Sequence, residues 1–347
     1  LEFTCLTFYF VFFFTLNRKP YALHRFRFRP AVAFAPGLCY KLNMDRDPKT
    51  MLVLNPHAGK GKGLKAFAAM RELLGRKIKT MEVKVSDYAG HAFQLGREAA
   101  KNGYERILSV GGDGTLFEIV NGLYAEGRPS QAIELGMIPV GTGNSFLRDF
   151  SAISWRQAVE KILSGRRRQV DLVEFTYQRD QKEIKQYYLN ILGVGLIADI
   201  LKLTNEKLKG FGSLGYSLAV LMRLAKGMNN RMRLTVDGEK LEIVDSALVI
   251  SNSKFTGGGM KIAPMADTQD GWVDLVIFQG VNRRDILNIF SRVFKGTHVS
   301  HPKVKTFRAA EITIDSFPQE LLMADGELLG LTPLRLKVLP GELAILA

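Results

Sequence analysis

From Met51 onward, short β-rich runs alternate with helical stretches, and this rhythm limits the possible folds more than any other feature of the 347-residue chain. MLVL (51–54) is apolar at every position and reads as a strand buried on both faces. Helical spacing follows from Leu64 to Leu74, strand alternation in MEVKVS (81–86), and helical spacing again over 91–102. RILSV (106–110) reads as a strand, 115–125 as a helix and ELGMIPV (134–140) as a strand. Such units build a parallel sheet with right-handed crossovers, which binds ligands beyond the C-terminal ends of its strands. After about residue 170 strand-like runs dominate: YYLNIL (187–192), MRLTV (232–236), SALVIS (246–251), WVDLVIF (272–278), EITID (311–315), LLMA (321–324), LRLKVL (334–339) and LAIL (343–346). Helical stretches interrupt them near 205–226 and 283–294. The expected fold is an α/β domain with a three-layer parallel sheet over 44–170. A mainly antiparallel β-sandwich domain follows over 171–347, its last segment free to pack back on the first.

Residues 1–43 stand apart. FTCLTFYFVFFFTL (3–16) is apolar and aromatic, yet shorter than the roughly 20 residues that span a bilayer. Its basic residues follow the apolar run, the reverse of a signal peptide. Met44 precedes a polar stretch and the first strand, so 1–43 read as an upstream extension outside the fold; a weak membrane anchor is the alternative. Cys5 and Cys39 both lie here. The remainder, lacking cysteine, suits a cytoplasmic protein without a thiolate nucleophile or thiolate metal site. The net charge of +14 favours polyanionic partners, nucleotides and anionic lipid headgroups among them. No homeodomain, zinc-finger or similar reader motif occurs, so nucleic acid is not an expected partner.

Four glycine-bearing segments carry the chemistry. NPHAGKGKG (55–63) joins a strand to a helix; Gly59, Gly61 and Gly63 permit close backbone approach, and Lys60 and Lys62 add charge at a helix N-terminus that favours an anion. It lacks the GKS/GKT ending of a Walker A loop. GGDGT (111–115) follows RILSV. Gly111, Gly112 and Gly114 allow a tight loop with amides facing phosphate oxygens, Thr115 is a helix-capping residue, and Asp113 puts a carboxylate where it meets Mg²⁺ or accepts a proton. PVGTGNSFLRD (139–149) repeats strand, turn and helix, with Thr142 and Asn144 as hydrogen-bonding groups and Ser145 as a cap. ADGE (324–327) reads as an Asp325-Gly326 hairpin turn followed by a second acid, Glu327.

In this order and spacing the four segments resemble the diacylglycerol kinase-like lipid kinases, from about Thr50 to the C-terminus. GGDGT alone is shared with NAD kinases. The resemblance implies an ATP-binding α/β domain, a β-sandwich-like domain and an active site between them. It places Asn55, Pro56, His57, Gly59, Lys60 and Ser86 at ATP, with Gly111, Gly112, Gly114, Thr115 and Glu118 in and behind the phosphate loop. Gly141, Thr142, Gly143 and Asn144 form another nucleotide contact. Asp113, Asp325 and Glu327 become catalytic candidates, with Asp113 and Glu327 both candidates for the base; His91 and His298 are further conceivable bases. KIAPMADTQDGWVDL (261–275) resembles a structural Mg²⁺ segment, implying Asp270 and the backbone carbonyls near Asp267 and Trp272 as ligands; an Asp-Gly hairpin is the alternative. ATP and Mg²⁺ are the expected cofactors. A lipid substrate, peripheral contact with anionic membrane and a homodimer are the expected partnerships.

Two departures bear on the acceptor. Ser145 stands where bacterial diacylglycerol kinases often have Asp after GTGN. GVGLIADILKLTNEKLKGFGSLGY (193–216) resembles a sphingosine-kinase stretch, yet Leu201 falls where that pattern has the acid that meets the lipid's amine; Asp199 remains. The expected reaction is transfer of the γ-phosphate of ATP to a lipid hydroxyl, of diacylglycerol or a relative. The alternatives are a sphingosine- or ceramide-type kinase, an NAD kinase, or a non-catalytic nucleotide- or lipid-binding protein.

Overall fold

The computed structural model describes residues 47–204, 206, 229–257 and 259–347. The first half runs β1 (Thr50–Leu54), α1 (Lys62–Gly75), β2 (Met81–Val85), α2 (His91–Lys101), β3 (Arg106–Gly111), α3 (Asp113–Leu123), β4 (Glu134–Pro139) and α4 (Trp155–Ser164). β1 lies between β2 and β3, with β4 beyond β3, all parallel; Leu52 is in register with Val83 and Leu108, and Leu108 with Gly136. The apolar run of β1 divides by parity. Met51 and Val53 pack with Leu95 and Ala99 of α2 and Leu116, Ile119 and Val120 of α3. Leu52 and Leu54 pack with Met70 and Leu74 of α1 and Val159 and Ile162 of α4. Period-2 strand geometry sends successive side chains to opposite helical layers, so the run must be apolar throughout.

The chain continues as β5 (Arg167–Arg179), β6 (Lys182–Tyr188), β7 (Ile191–Val194), α5 (Leu196–Leu203), β8 (Arg231–Val236), β9 (Glu239–Val244), β10 (Ser246–Ser251), β11 (Phe255–Thr256), β12 (Met260–Lys261), β13 (Val273–Gln279), α6 (Arg283–Val293), β14 (Val304–Ala309), β15 (Glu311–Phe317), β16 (Leu321–Ala324) and β17 (Glu327–Leu346). Apart from the junction with β4, these strands pair antiparallel. The helix expected over 205–226 lies, but for Glu206, outside the described residues.

β17 links the two halves. Two strands are expected over 334–339 and 343–346; one 20-residue strand is found. Its register against β5 shifts between Leu339 and Leu343, at Pro340 and Gly341, so the chain irregularity behind the two-strand reading is absorbed without ending the strand. The strand pairs with β16, β15 and β5, and its end, Ala344–Leu346, pairs parallel with β4 at Glu134–Gly136.

Another expectation is corrected at YYLNIL. The run is two strands, β6 ending at Tyr188 and β7 starting at Ile191. The amides of Leu189, Asn190 and Ile191 are all given to the Asp325 carboxylate, so the ladder breaks where a side chain replaces a neighbouring strand as acceptor. No described helix is long and apolar enough to cross a membrane.

Candidate active site

β1 and β3 run side by side, and the loops that leave them touch. The N–H of Asn55 donates to the Val110 carbonyl at 3.0 Å. Its Oδ1 accepts the N–H of His57 and its Nδ2 donates to Thr115 Oγ1, each at 3.0 Å. One side chain thus fixes the first glycine loop and ties it to the second. Gly59, Lys60 and Gly61 take φ of 58°, 60° and 81°, and a Cβ at Gly59 would stand 1.8 Å from the Val140 carbonyl oxygen. The loop lies flat on the exit of β4, where only glycine fits. Gly59→Ala should therefore lower stability by about 1–3 kcal/mol, seen as a reduced denaturant midpoint; an unchanged midpoint would refute this packing.

The third loop closes on the second. A Cβ at Gly141 would lie 2.6 Å from the Gly112 Cα, and Asn144 Nδ2 donates to the Gly141 carbonyl at 2.7 Å. Among the described residues, Asn144 Oδ1 is buried without a hydrogen-bond partner. Thr142 and His57 are exposed at the rim, with Pro56 and Gly143 half-buried. Ser86 is buried just past β2, its N–H on the Leu54 carbonyl at 2.9 Å.

Asp113 opens α3 but serves another segment. Its Oδ2 accepts the Ser145 N–H at 2.9 Å and its Oδ1 the Phe146 N–H at 3.3 Å. Burial pushes its pKa up, against the pull of these two amides and of Arg148. The caps expected of Thr115 and Ser145 are not formed. Gly112 is the N-cap of α3, Thr115 Oγ1 receives Asn55, and Ser145 heads a 3-10 turn, Phe146–Phe150, without capping it by its side chain. The amides freed by that tight turn find Asp113 instead.

The late hairpin delivers the remaining acids. Asp325 and Gly326 take φ of 49° and 92° between paired Ala324 and Glu327, the two positive values of a type I′ turn. The Asp325 carboxylate accepts the amides of Leu189, Asn190 and Ile191 at 3.0, 3.0 and 2.9 Å. Burial pushes its pKa up to about 7; the three amides oppose that and the charge of Asp113 adds to it. Glu327 Oε1 stands 2.7 Å from where a Cβ on Gly114 would lie, and burial with the Glu118 carboxylate nearby raises its pKa. Glu118 Oε1 accepts the Gly90 N–H at 3.0 Å. Asp113, Glu118, Asp325 and Glu327 thus converge beyond the C-terminal end of β3.

Beside them lies a cavity of about 290 Å³. Asp113, Ser145, Asn190, Thr256 and Asp325 supply its polar side chains, while α5 and α6 wall it with side chains such as Leu196, Ile200, Leu201 and Phe290. Asp199 is not among the lining residues. Sequence reasoning missed Asn190 and Asn121. Asn121 is buried in α3, donating to the carbonyls of Phe117 and Tyr187 and accepting the Tyr187 N–H, each at 2.9 Å, which anchors the Asp113 helix to β6. The available signal was a lone amide inside each apolar run, IVNGL and YYLNIL.

Both histidines hold structure. His91 accepts the Asp87 N–H at 3.0 Å and stacks on Tyr88. His298 is buried against the Ile262 carbonyl, and burial lowers its pKa. In the segment expected to hold a structural cation, both aspartate side chains are engaged within the protein. Asp270 is ion-paired with Arg308 and accepts the Trp272 N–H, while Asp267 accepts the Gln269 N–H. Among the described residues no group of three or more His, Cys, Asp or Glu is placed to hold a metal ion.

A model of the diacylglycerol kinase catalytic domain matches residues 49–175, and a model of the YegS C-terminal NAD kinase beta sandwich-like domain matches 190–347. A diacylglycerol kinase of Staphylococcus carnosus is 31% identical over 293 residues, covering 82% of this chain and 90% of that protein. A diacylglycerol kinase of Mycobacterium tuberculosis is 28% identical over 302 residues, covering 86% and 94%. A solved diacylglycerol kinase structure from Bacillus anthracis superposes with a TM-score of 0.64 at 22% identity, over 86% of this chain and 96% of that one, a likeness of fold.

Proposed function

Since this chain belongs to the diacylglycerol kinase-like lipid kinase family, we propose that it transfers the γ-phosphate of ATP to the hydroxyl of a neutral glycerolipid of the diacylglycerol type. One observation carries the reading: an apolar cavity whose polar lining includes Asp113 and Asp325 opens beside three interlocked glycine loops. The loops suit a polyphosphate, because small residues let backbone amides approach anionic oxygens. The cavity suits an acyl chain. A lipid hydroxyl at its polar lining lies within the reach of Asp113, which takes the proton as the oxygen attacks phosphorus in line.

Asp113 is preferred to Glu327 as the base because it lines the cavity, whereas Glu327 lies against Gly114 outside it. Its raised pKa makes it a stronger base than a carboxylate at its ordinary value. Asp325 is a positioning residue, holding the 189–191 backbone. A Mg²⁺ ion arriving with ATP would offset phosphate charge, and one or two carboxylates beside Gly114, Glu327 and Glu118, suit it when the phosphates supply the other ligands. Glu327→Gln should then lower kcat less than Asp113→Asn does, and its effect should shrink as the Mg²⁺ concentration rises. A loss greater than that of Asp113→Asn, unrelieved by added Mg²⁺, would return the base to Glu327.

Leu201 on the cavity wall stands where the sphingosine-kinase pattern has its second acid, which disfavours a sphingoid base. The direct test supplies labelled ATP with diacylglycerol, sphingosine, ceramide and NAD in turn. Label in diacylglycerol is expected. Label only in NAD would sink the lipid-kinase reading, and label in none would favour a non-catalytic binding protein.

A further inference from the structure

α6 has two working faces. Its N-terminus is set by a reciprocal cap, Asn282 Oδ1 accepting the Asp285 N–H at 3.0 Å and Asp285 Oδ2 the Asn282 N–H at 2.8 Å. The inner face buries Ile289 and Val293, and Ile286 and Phe290 line the cavity. On the outer side Leu287 is 55% and Phe294 51% exposed, two turns apart on one ridge. Phe294 meets Phe290 edge to face at 5.8 Å, so an aromatic pair runs from the cavity wall to the surface.

The charge around this ridge has one sign. Arg283, Arg284, Arg292 and Lys295 are all exposed. The single acid over 283–295, Asp285, is engaged by Lys303 at 2.7 Å and faces His301 at 3.7 Å. Exposed apolar side chains scattered singly are ordinary. Here two of them lie within a basic rim, on the helix whose other face walls the cavity, the arrangement that favours an anionic interface.

We propose that α6 docks on an anionic bilayer surface, Leu287 and Phe294 entering the acyl boundary and the basic residues lying over the headgroups. The cavity wall then meets the leaflet that holds the acceptor, so docking and substrate loading use one helix. This rests on the lipid-kinase reading, and the test separates the two.

The full chain is sedimented with phosphatidylcholine vesicles, with and without phosphatidylglycerol. Wild type should bind the anionic vesicles and bind them less as salt rises. The double variant Leu287→Ser/Phe294→Ser should bind at least tenfold more weakly, and the triple variant Arg284→Glu/Arg292→Glu/Lys295→Glu should lose the preference for anionic vesicles. Leu64→Ser, at an exposed apolar position on α1, should change nothing. All variants should retain the wild-type unfolding temperature and phosphorylate a water-soluble short-chain diacylglycerol at the wild-type rate. Undiminished vesicle binding by the double variant overturns the proposal. So does a dimeric wild type that this variant renders monomeric, which would give the face to a second copy. Wild type that binds vesicles yet phosphorylates no diacylglycerol refutes the kinase reading and leaves the docking intact.

Discussion

Asp113→Asn is expected to lower kcat for phosphate transfer about a hundred- to ten-thousand-fold, the span attached to a lost general base. The change is nearly isosteric. An amide still offers one oxygen to the Ser145 or Phe146 N–H, so only one of the two contacts becomes a donor facing a donor. That costs about 1–3 kcal/mol of local stability, and the fold should survive it. KM for ATP should move little, because the proposed function assigns the phosphates to the glycine loops and not to this carboxylate. The pH profile gives a readout that a structural role would not move. A base with a raised pKa must be ionised to act, so wild-type kcat/KM should climb with pH through that pKa, and the residual activity of the variant should lack the climb. Full kcat in the variant would exclude Asp113.

Asp325→Ala should be the most destabilising change in the site, by about 3–5 kcal/mol, because it strands three buried backbone amides at once. Asp325→Asn should cost less: one oxygen can still serve Asn190 and Ile191, which share Oδ1, and only the Leu189 amide faces a donor. The sign of the pH effect follows from a folded pKa near 7 against an unfolded value near 3.8. Between those values the folded state binds more protons, so the contribution of Asp325 to stability is fully present below about pH 4 and is lost as pH rises through 7. The gap in stability between wild type and Asp325→Asn should narrow over that window. Denaturant midpoints at several pH values check both points, and a gap that widens would contradict the burial-driven shift.

Much of the fold is legible along the chain because the parallel half is built from local units. Each apolar run leads into a glycine-bearing loop and a helical turn, so MLVL, RILSV and ELGMIPV are found where periodicity puts them. The antiparallel half is legible as strands, not as partners. Nothing within LRLKVL and LAIL states that they are one strand, or that its end lies beside β4, because pairing of that kind joins residues about two hundred positions apart. YYLNIL misleads for a related reason: its ladder is broken by a carboxylate from Asp325.

The site divides the same way. The glycine loops are local, since close approach leaves its mark in residue type, and the chain alone therefore marks a loop edge suited to phosphate and four acids worth testing. The roles of those acids are decided by tertiary structure. Asp113 lines a cavity, Asp325 holds backbone, Glu327 faces Gly114, and Asp270 is spent on Arg308. A carboxylate's role depends on which amides, charges and apolar walls surround it, and for these residues the deciding neighbours arrive from distant strands and helices.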